Sequence, residues 1–154
     1  MKPNPTILFG AGCFWGVQDT FDALPGVLKT EVGFASGHTQ NPSYQEVCRG
    51  DTGHAEVVWV SYDPHQISLE TLLETFWHCH DPSSLNRQGP DIGAQYRSCI
   101  YYTDPEQLES IESSKHLFEK SGKKVVTEIK PFSNFYKAEE YHQHYHKKAC
   151  QSKR

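Results

Sequence analysis

The sequence predicts an α+β protein in which helices pack on one sheet. Apolar residues recur with the strand or the helix period in the order strand, helix, strand, strand, helix, strand, helix, strand. A chain of 154 residues suits one hydrophobic core, so residues 1–154 are predicted to form a single domain. Glycine, proline and asparagine gather in residues 35–54 and 80–97, which are predicted to be long irregular excursions.

The first half of the chain is predicted to contain three strands and one helix. Residues 6–10 are a short apolar run that ends at glycines, and helical spacing follows over residues 14–24. Residues 55–62 are largely apolar on both sides, which is typical of a central strand. Residues 27–34 alternate as in a half-buried strand, and its inward face is predicted to be Leu28, Thr30, Val32 and Phe34.

The second half is predicted to contain two further strands and the remaining helices. Ser68 caps a helix with a full apolar stripe, and Asp104 with Pro105 begins the next helix. Residues 98–103 and 125–129 are predicted strands, and a short helix over residues 138–148 is predicted to close the fold.

The composition argues against nucleic-acid and membrane partners. The formal net charge is −4, and no stretch approaches the roughly 20 apolar residues of a membrane span. The first residues do not resemble a secretory signal. Five cysteines without CxxC spacing suggest free thiols rather than a disulfide framework, which predicts a cytoplasmic protein.

Cys13 lies in the sequence GAGCFWG, between glycines and two large aromatic residues. The element order places it at a strand-to-helix junction, where unpaired N–H groups and the helix dipole favour a thiolate. A small buried hydrophobic role is the alternative, because most free cysteines are of that kind. Placement alone leaves both interpretations open.

Glu56 is the one carboxyl on an apolar strand face. Burial there would raise its pKa and let it act as a general acid, although a glutamate that reaches water from an edge strand is equally compatible. The predicted excursions add polar groups that could surround a small polar ligand atom, although each alone more often orders a loop: Tyr44, Asp91, Tyr96 and Arg97.

Two histidine-rich segments, residues 78–81 and 142–146, raise the question of a metal site. Structural zinc sites normally pair two ligands at close spacing with a second matching pair, and no such second pair occurs here. We therefore expect no metal. A serine hydrolase is disfavoured because no GxSxG sequence occurs.

Four motifs, GCFWG, TGHAEVV, HDP…NRQG.D.G.QYRS and AEEYHQ, occur in this order and resemble the A-type peptide methionine sulfoxide reductases. The resemblance covers residues 7–145. It implies a two-layer α+β sandwich with a ferredoxin-like core and long irregular excursions.

The resemblance also implies roles for individual residues. Cys13 is expected to attack the sulfoxide sulfur, while Phe14 and Trp15 hold the substrate methyl group. Glu56 is expected to be the acid near the sulfoxide oxygen. The remaining polar residues of the family's site correspond here to Tyr44, Asp91 and Tyr96.

The expected reaction is reduction of methionine-S-sulfoxide, free or in proteins, through a sulfenic acid on Cys13. A second thiol then forms an intramolecular disulfide, which thioredoxin reduces, so no metal or organic cofactor is expected. The chain is expected to act as a monomer.

The second thiol is the point where the chain departs from the family. Many members carry cysteine in a glycine-containing tail, whereas the tail here is KKACQSKR, with Cys150 alone. A Cys13–Cys150 disulfide is predicted, because the basic surroundings of Cys150 favour its thiolate. Cys48, in the excursion before TGHAEVV, is the alternative partner.

Two other functions remain alternatives. A thiol peroxidase or redox sensor would also use an activated cysteine, but it would give Phe14 and Trp15 no role. A metal-binding module built on the histidines would belong to a different class.

Overall fold

The computed structural model describes residues 4–145. Its strands are β1 (Thr6–Gly10), β2 (Val27–Ala35), β3 (Ala55–Tyr62), β4 (Arg87–Gln88), β5 (Asp91–Ile92), β6 (Cys99–Tyr102), β7 (Glu128–Pro131) and β8 (Phe135–Lys137). Its helices are α1 (Phe14–Asp22), α2 (Tyr44–Cys48), α3 (Leu69–His78) and α4 (Pro105–Glu119), with 3-10 turns at Ala94–Tyr96 and Glu140–His142.

Six strands form one sheet in the order β7, β6, β1, β3, β2, β8. All neighbours are antiparallel except β6 and β7, which are parallel. The predicted combination of helices with a sheet is therefore confirmed. Strand β3 lies between β1 and β2, as its apolar sequence on both sides predicted.

The main core lies between the sheet and the helices. Phe9 of β1 stacks on Phe21 of α1, with ring centroids 4.8 Å apart, and on Phe76 of α3 at 5.2 Å. All three rings are fully buried, and burial of each contributes about 2 kcal/mol of hydrophobic stabilisation. A smaller cluster on the opposite sheet face includes Val57 and Tyr101. The first core fixes α1, which carries Phe14 and Trp15, against the sheet.

Two predicted helix starts are seen in atomic detail. The Ser68 hydroxyl accepts a hydrogen bond from the Thr71 N–H at the start of α3. Asp104 and Gln107 form a reciprocal capping box at the start of α4, with Pro105 in the first turn. Each side chain pairs N–H groups that the helix itself leaves without partners.

Other parts of the sequence prediction need correction. Leu28 is 49% exposed rather than inward, because the pairing of β2 with β3 shifts register between Val27 and Lys29. That shift moves Leu28 out of the alternation that Thr30 and Val32 follow. Strand β7 begins at Glu128, three residues after the predicted start.

Four short elements were not predicted: one helix and three strands. Helix α2 lies in the first excursion and begins with a Ser43–Glu46 capping box. The second excursion contains a two-stranded hairpin, β4 with β5. Strand β8 was not predicted; it follows β7 and pairs with the edge of β2.

The predicted closing helix is described only in part. Glu140–His142 form a 3-10 turn rather than an α-helix, and residues 146–148 lie outside the described residues. Within residues 4–145, no helix is both long enough and apolar enough to cross a membrane.

Candidate active site

Cys13 lies at the junction between β1 and α1, as predicted, and is the N-cap residue of α1. Gly12 permits the turn because its φ is +99°, which L side chains rarely adopt. Space is also short there, since a Cβ on Gly12 would lie 3.0 Å from the Cβ of Gln88. The hairpin of β4 and β5 thus packs directly against the residue that precedes the thiol.

The Cys13 thiol is half-buried, and its pKa is raised from 9.0 to about 11. Burial is the main cause, and the nearby carboxyls of Glu56 and Asp91 raise the pKa further. The backbone N–H groups of Trp15 and Gly16 lower it, as the helix position predicted, but they do not outweigh burial. The helix start thus favours the thiolate, as expected, but burial outweighs it, and the pKa of Cys13 lies above its ordinary value.

Glu56 is 1% exposed in β3, directly opposite Phe34 of β2. Burial raises the pKa of Glu56 to about 8, and the charge of Asp91 raises it further. The Phe14 N–H, which donates to Oε1 at 3.2 Å, lowers this pKa but does not outweigh burial. Oε2 is buried without a hydrogen-bond partner among the described residues. The position is not a water-exposed edge, so Glu56 holds a proton at neutral pH and has one oxygen available for a ligand.

Three further polar side chains, from separate elements, interact electrostatically with Glu56: Tyr44, Asp91 and Tyr96. Burial raises the pKa of Tyr96 to about 12, and Glu56, Cys48 and Asp91 add to it. Burial is also the main cause of the raised pKa of Tyr44, and a hydrogen bond with the Cys48 thiol raises it further. Both phenols remain protonated and can donate hydrogen bonds. Tyr44, Asp91 and Tyr96 thus lie near Glu56.

Arg97 instead orders the surrounding chain. Its guanidinium donates to the carbonyl oxygens of Ala94 at 3.0 Å and Gly53 at 2.9 Å. It also forms an ion pair with Glu128 at 3.4 Å. These contacts join the 3-10 turn that carries Tyr96 to the loop before β3.

An aromatic cluster begins at the two residues that follow Cys13. Phe14 is buried, with its ring centroid 5.7 Å from that of Phe34 and 6.3 Å from that of Tyr44. Trp15 is partly exposed and stacks on Tyr145, with centroids 3.9 Å apart and planes 12° apart. Flat apolar faces beside a thiol suit a small apolar group on the substrate.

His142 is a site residue that the sequence analysis missed. Its Nδ1 accepts a hydrogen bond from Trp15 Nε1 at 3.0 Å, and its ring lies 5.4 Å from Phe14 and 4.4 Å from Tyr44. Burial lowers the pKa of His142, so the ring is neutral with its proton on Nε2. Spacing to His146 suggested metal binding, but membership of the AEEYHQ motif was the useful signal. Tyr145, two residues after that motif, was not predicted either.

The remaining cysteines occupy different environments. Cys48 is exposed at the end of α2, beside the Tyr44 hydroxyl. Cys79 caps the C-terminus of α3, and Cys99 is fully buried in β6 under Gly10. All four cysteines within residues 4–145 are free thiols, whereas Cys150 lies outside the described residues.

The described histidines of the two histidine-rich segments contact other protein groups. The ring nitrogens of His80 lie 2.7 Å from the Phe76 carbonyl oxygen and 2.7 Å from the Ser98 hydroxyl. Between residues 4 and 145, no group of three or more His, Cys, Asp or Glu side chains is arranged to hold a metal ion.

Comparisons with known proteins agree with this geometry. The family model for peptide methionine sulfoxide reductase matches residues 5–154. A peptide methionine sulfoxide reductase MsrA from Methanoculleus marisnigri is 56% identical over 140 residues, which cover 89% of this chain and 85% of that protein. The MsrA of Clostridium perfringens is 54% identical over 143 residues, covering 92% and 91%.

Solved structures give the same result. Reduced Mxr1 from Saccharomyces cerevisiae has a TM-score of 0.90 at 38% identity, covering 97% of this chain and 87% of that one. Methionine sulfoxide reductase A of Corynebacterium diphtheriae has a TM-score of 0.86 at 39% identity, covering 96% and 76%. Mxr1 in complex with Trx2 has a TM-score of 0.66 at 28% identity, covering 93% and 85%.

Proposed function

The chain belongs to the peptide methionine sulfoxide reductase family, and from that membership we propose how its own residues reduce methionine sulfoxide. The enzyme is an oxidoreductase that takes its electrons from thioredoxin. The observation that supports our assignment of roles is the protonated Glu56, buried beside a thiol at the start of α1. Cys13 is the nucleophile, and Glu56 is the proton donor.

The first step requires no proton from outside the site. The Cys13 sulfur attacks the sulfoxide sulfur while Glu56 gives its proton to the sulfoxide oxygen. The proton of the Cys13 thiol replaces the one that Glu56 has lost. The oxygen passes to the Cys13 sulfur, which is oxidised by two electrons to a sulfenic acid, and methionine is released after its sulfur gains two electrons.

The charges of the two groups couple their ionisation. Ionised Glu56 would raise the pKa of Cys13 further, because a nearby negative charge disfavours a thiolate. Protonated Glu56 therefore both supplies the proton and permits the thiolate to form. Tyr44 and Tyr96, whose phenols stay protonated, donate hydrogen bonds to the developing oxygen charge, and Asp91 helps to keep Glu56 protonated.

The aromatic cluster sets the orientation of the substrate. Phe14, Trp15 and His142 receive the methyl group, while Glu56 receives the oxygen. The third substituent is then directed away from both. Three distinct contacts distinguish the two mirror-image sulfoxides, and we assign the S epimer on the family resemblance, since each epimer has its own reductase.

Recycling requires a second thiol. That thiol attacks the sulfenic acid, releasing water and forming a disulfide, which a thioredoxin dithiol then reduces by exchange. The partner of Mxr1 in one structure is Trx2, which supports this reductant here. We assign the second thiol to Cys150, with Cys48 as the alternative, because Cys48 lies beside Tyr44.

The finer details of the fold and its setting are also proposals. The antiparallel order β6, β1, β3, β2, with α1 and α3 packed against it, supports a two-layer sandwich with a ferredoxin-like core. We further propose that residues 1–154 form one domain, which acts as a cytoplasmic monomer without a prosthetic cofactor.

Turnover of the two methionine sulfoxide epimers, with dithiothreitol and then with thioredoxin, tests the function. The S epimer should be reduced with both reductants and the R epimer with neither. Preference for a hydroperoxide over both epimers would instead support a thiol peroxidase.

A further inference from the structure

Residues 138–145, here called the strap, lie along the edge of β2 and against α1. Strand β8 pairs with residues 33–35 of β2, and the Ala138 N–H continues that ladder to the Val32 carbonyl oxygen at 3.0 Å. The chain then leaves the sheet in the 3-10 turn that contains His142. The strap therefore carries His142 and Tyr145 to Trp15.

The Gln143 side chain replaces the rung of the ladder that the departing backbone no longer makes. Its Oε1 accepts from the Val32 N–H at 2.9 Å, and its Nε2 donates to the carbonyl oxygens of Val32 at 2.9 Å and Ala138 at 3.1 Å. Gln143 is 4% exposed, so these bonds satisfy polar groups that are hidden from water.

His144 ties the strap to α1 at two points. Its N–H donates to Gln18 Oε1 at 2.7 Å, and its Nδ1 lies 2.9 Å from Asp22 Oδ2. The φ of His144 is +53°, an uncommon value that persists where surrounding contacts fix it. Thr30 orients both partners, because its hydroxyl donates to Asp22 Oδ1 at 2.6 Å and accepts from Gln18 Nε2 at 3.0 Å.

Trp15, Gln18 and Asp22 follow one another at helical spacing on α1, so one side of the helix carries the tryptophan and both anchors. We propose that Gln18, Asp22 and Gln143 are positioning residues that hold His142 and Tyr145 against Trp15 and so complete the methyl pocket. This inference rests on the proposed function. It adds that the strap residues in contact with Trp15 are tied to the same helix that carries Trp15.

The test compares Asp22→Ala and Gln143→Met with Glu109→Ala, which removes an exposed carboxylate from α4. Steady-state rates are measured with dithiothreitol on methyl and ethyl sulfoxides. We expect KM for the methyl sulfoxide to rise about tenfold in both strap variants, as expected for the loss of one or two net hydrogen bonds. The value of kcat should stay within about twofold, since Cys13 and Glu56 are untouched. The preference for methyl over ethyl should fall.

Conservative replacement separates positioning from general destabilisation. Asp22→Asn keeps an acceptor for the Thr30 hydroxyl and a polar partner for the His144 ring, so it should restore most of the wild-type KM. The inference is overturned if KM and methyl preference are unchanged in Asp22→Ala while its unfolding midpoint falls. Asp22→Ala also decides the matter if Gln143→Met does not fold. Wild-type protein that fails to reduce either sulfoxide would refute the proposed function instead.

Discussion

Replacing Glu56 with glutamine should make stability less dependent on pH. The pKa of Glu56 is raised from 4.5 to about 8 because the folded protein buries it. Because the folded protein binds this proton more tightly than the unfolded chain does, protonation of Glu56 stabilises the fold. That stabilisation is fully present below pH 4.5 and is lost as the pH rises to 8. Each pKa unit corresponds to about 1.4 kcal/mol, so the loss approaches about 5 kcal/mol above pH 8 and is about 3 kcal/mol at pH 7.

Glutamine keeps an oxygen that accepts from the Phe14 N–H but has no proton to lose. Urea unfolding of wild type and Glu56→Gln between pH 5 and 9 measures the difference directly. The unfolding free energy of wild type should fall relative to the variant by about 1.4 kcal/mol per pH unit up to about pH 8. Glu109→Gln, at an exposed position on α4, is the matched control for the replacement of a carboxylate by an amide. A pH-independent difference between wild type and Glu56→Gln would refute the raised pKa.

Three further outcomes are expected. The reduction rate should fall above about pH 8 as Glu56 loses its proton. Glu56→Gln should be slower by about 10²–10⁴-fold and should not show this decline with pH. A near-normal rate in Glu56→Gln would instead assign the acid role to Tyr44 or Tyr96. Trp15→Ala should lower kcat/KM strongly, because the lost ring contact is worth a few kcal/mol. If the ratio of kcat/KM for methyl sulfoxides to that for bulkier sulfoxides were unchanged, this would argue against a methyl pocket. Cys150→Ser should turn over with dithiothreitol but stall with thioredoxin; if Cys48→Ser stalls instead, Cys48 is the second thiol.

Local rules accounted for the parts of the fold that depend on neighbouring residues. The capping signals at Ser68 and Asp104 sufficed because a cap is satisfied within its own first turn. Period-two alternation failed at Leu28, since a register shift depends on the partner strand. Strand β8 is three residues long, too short to produce a period of its own.

The candidate site shows the same division. The position of Cys13 followed from the order of its flanking elements, but its protonation state did not, because burial depends on residues far along the chain. The apolar strand around Glu56 suggested a raised pKa, but only the strand order excludes the alternative of a water-exposed edge. His142 was missed because its contact with Trp15 spans 127 positions. Local spacing to His146 carried no information about that contact.

A single-turnover experiment tests the role of Cys13 most directly. Reduced enzyme is mixed with methionine-S-sulfoxide in the absence of any reductant, with a trapping reagent for sulfenic acids present. Wild type should release one methionine per chain, and Cys13 should be recovered either in the trapped adduct or in the disulfide with the second thiol. Cys13→Ser should release none and remain folded. Methionine release by Cys13→Ser, or a first adduct on another cysteine, would contradict the account.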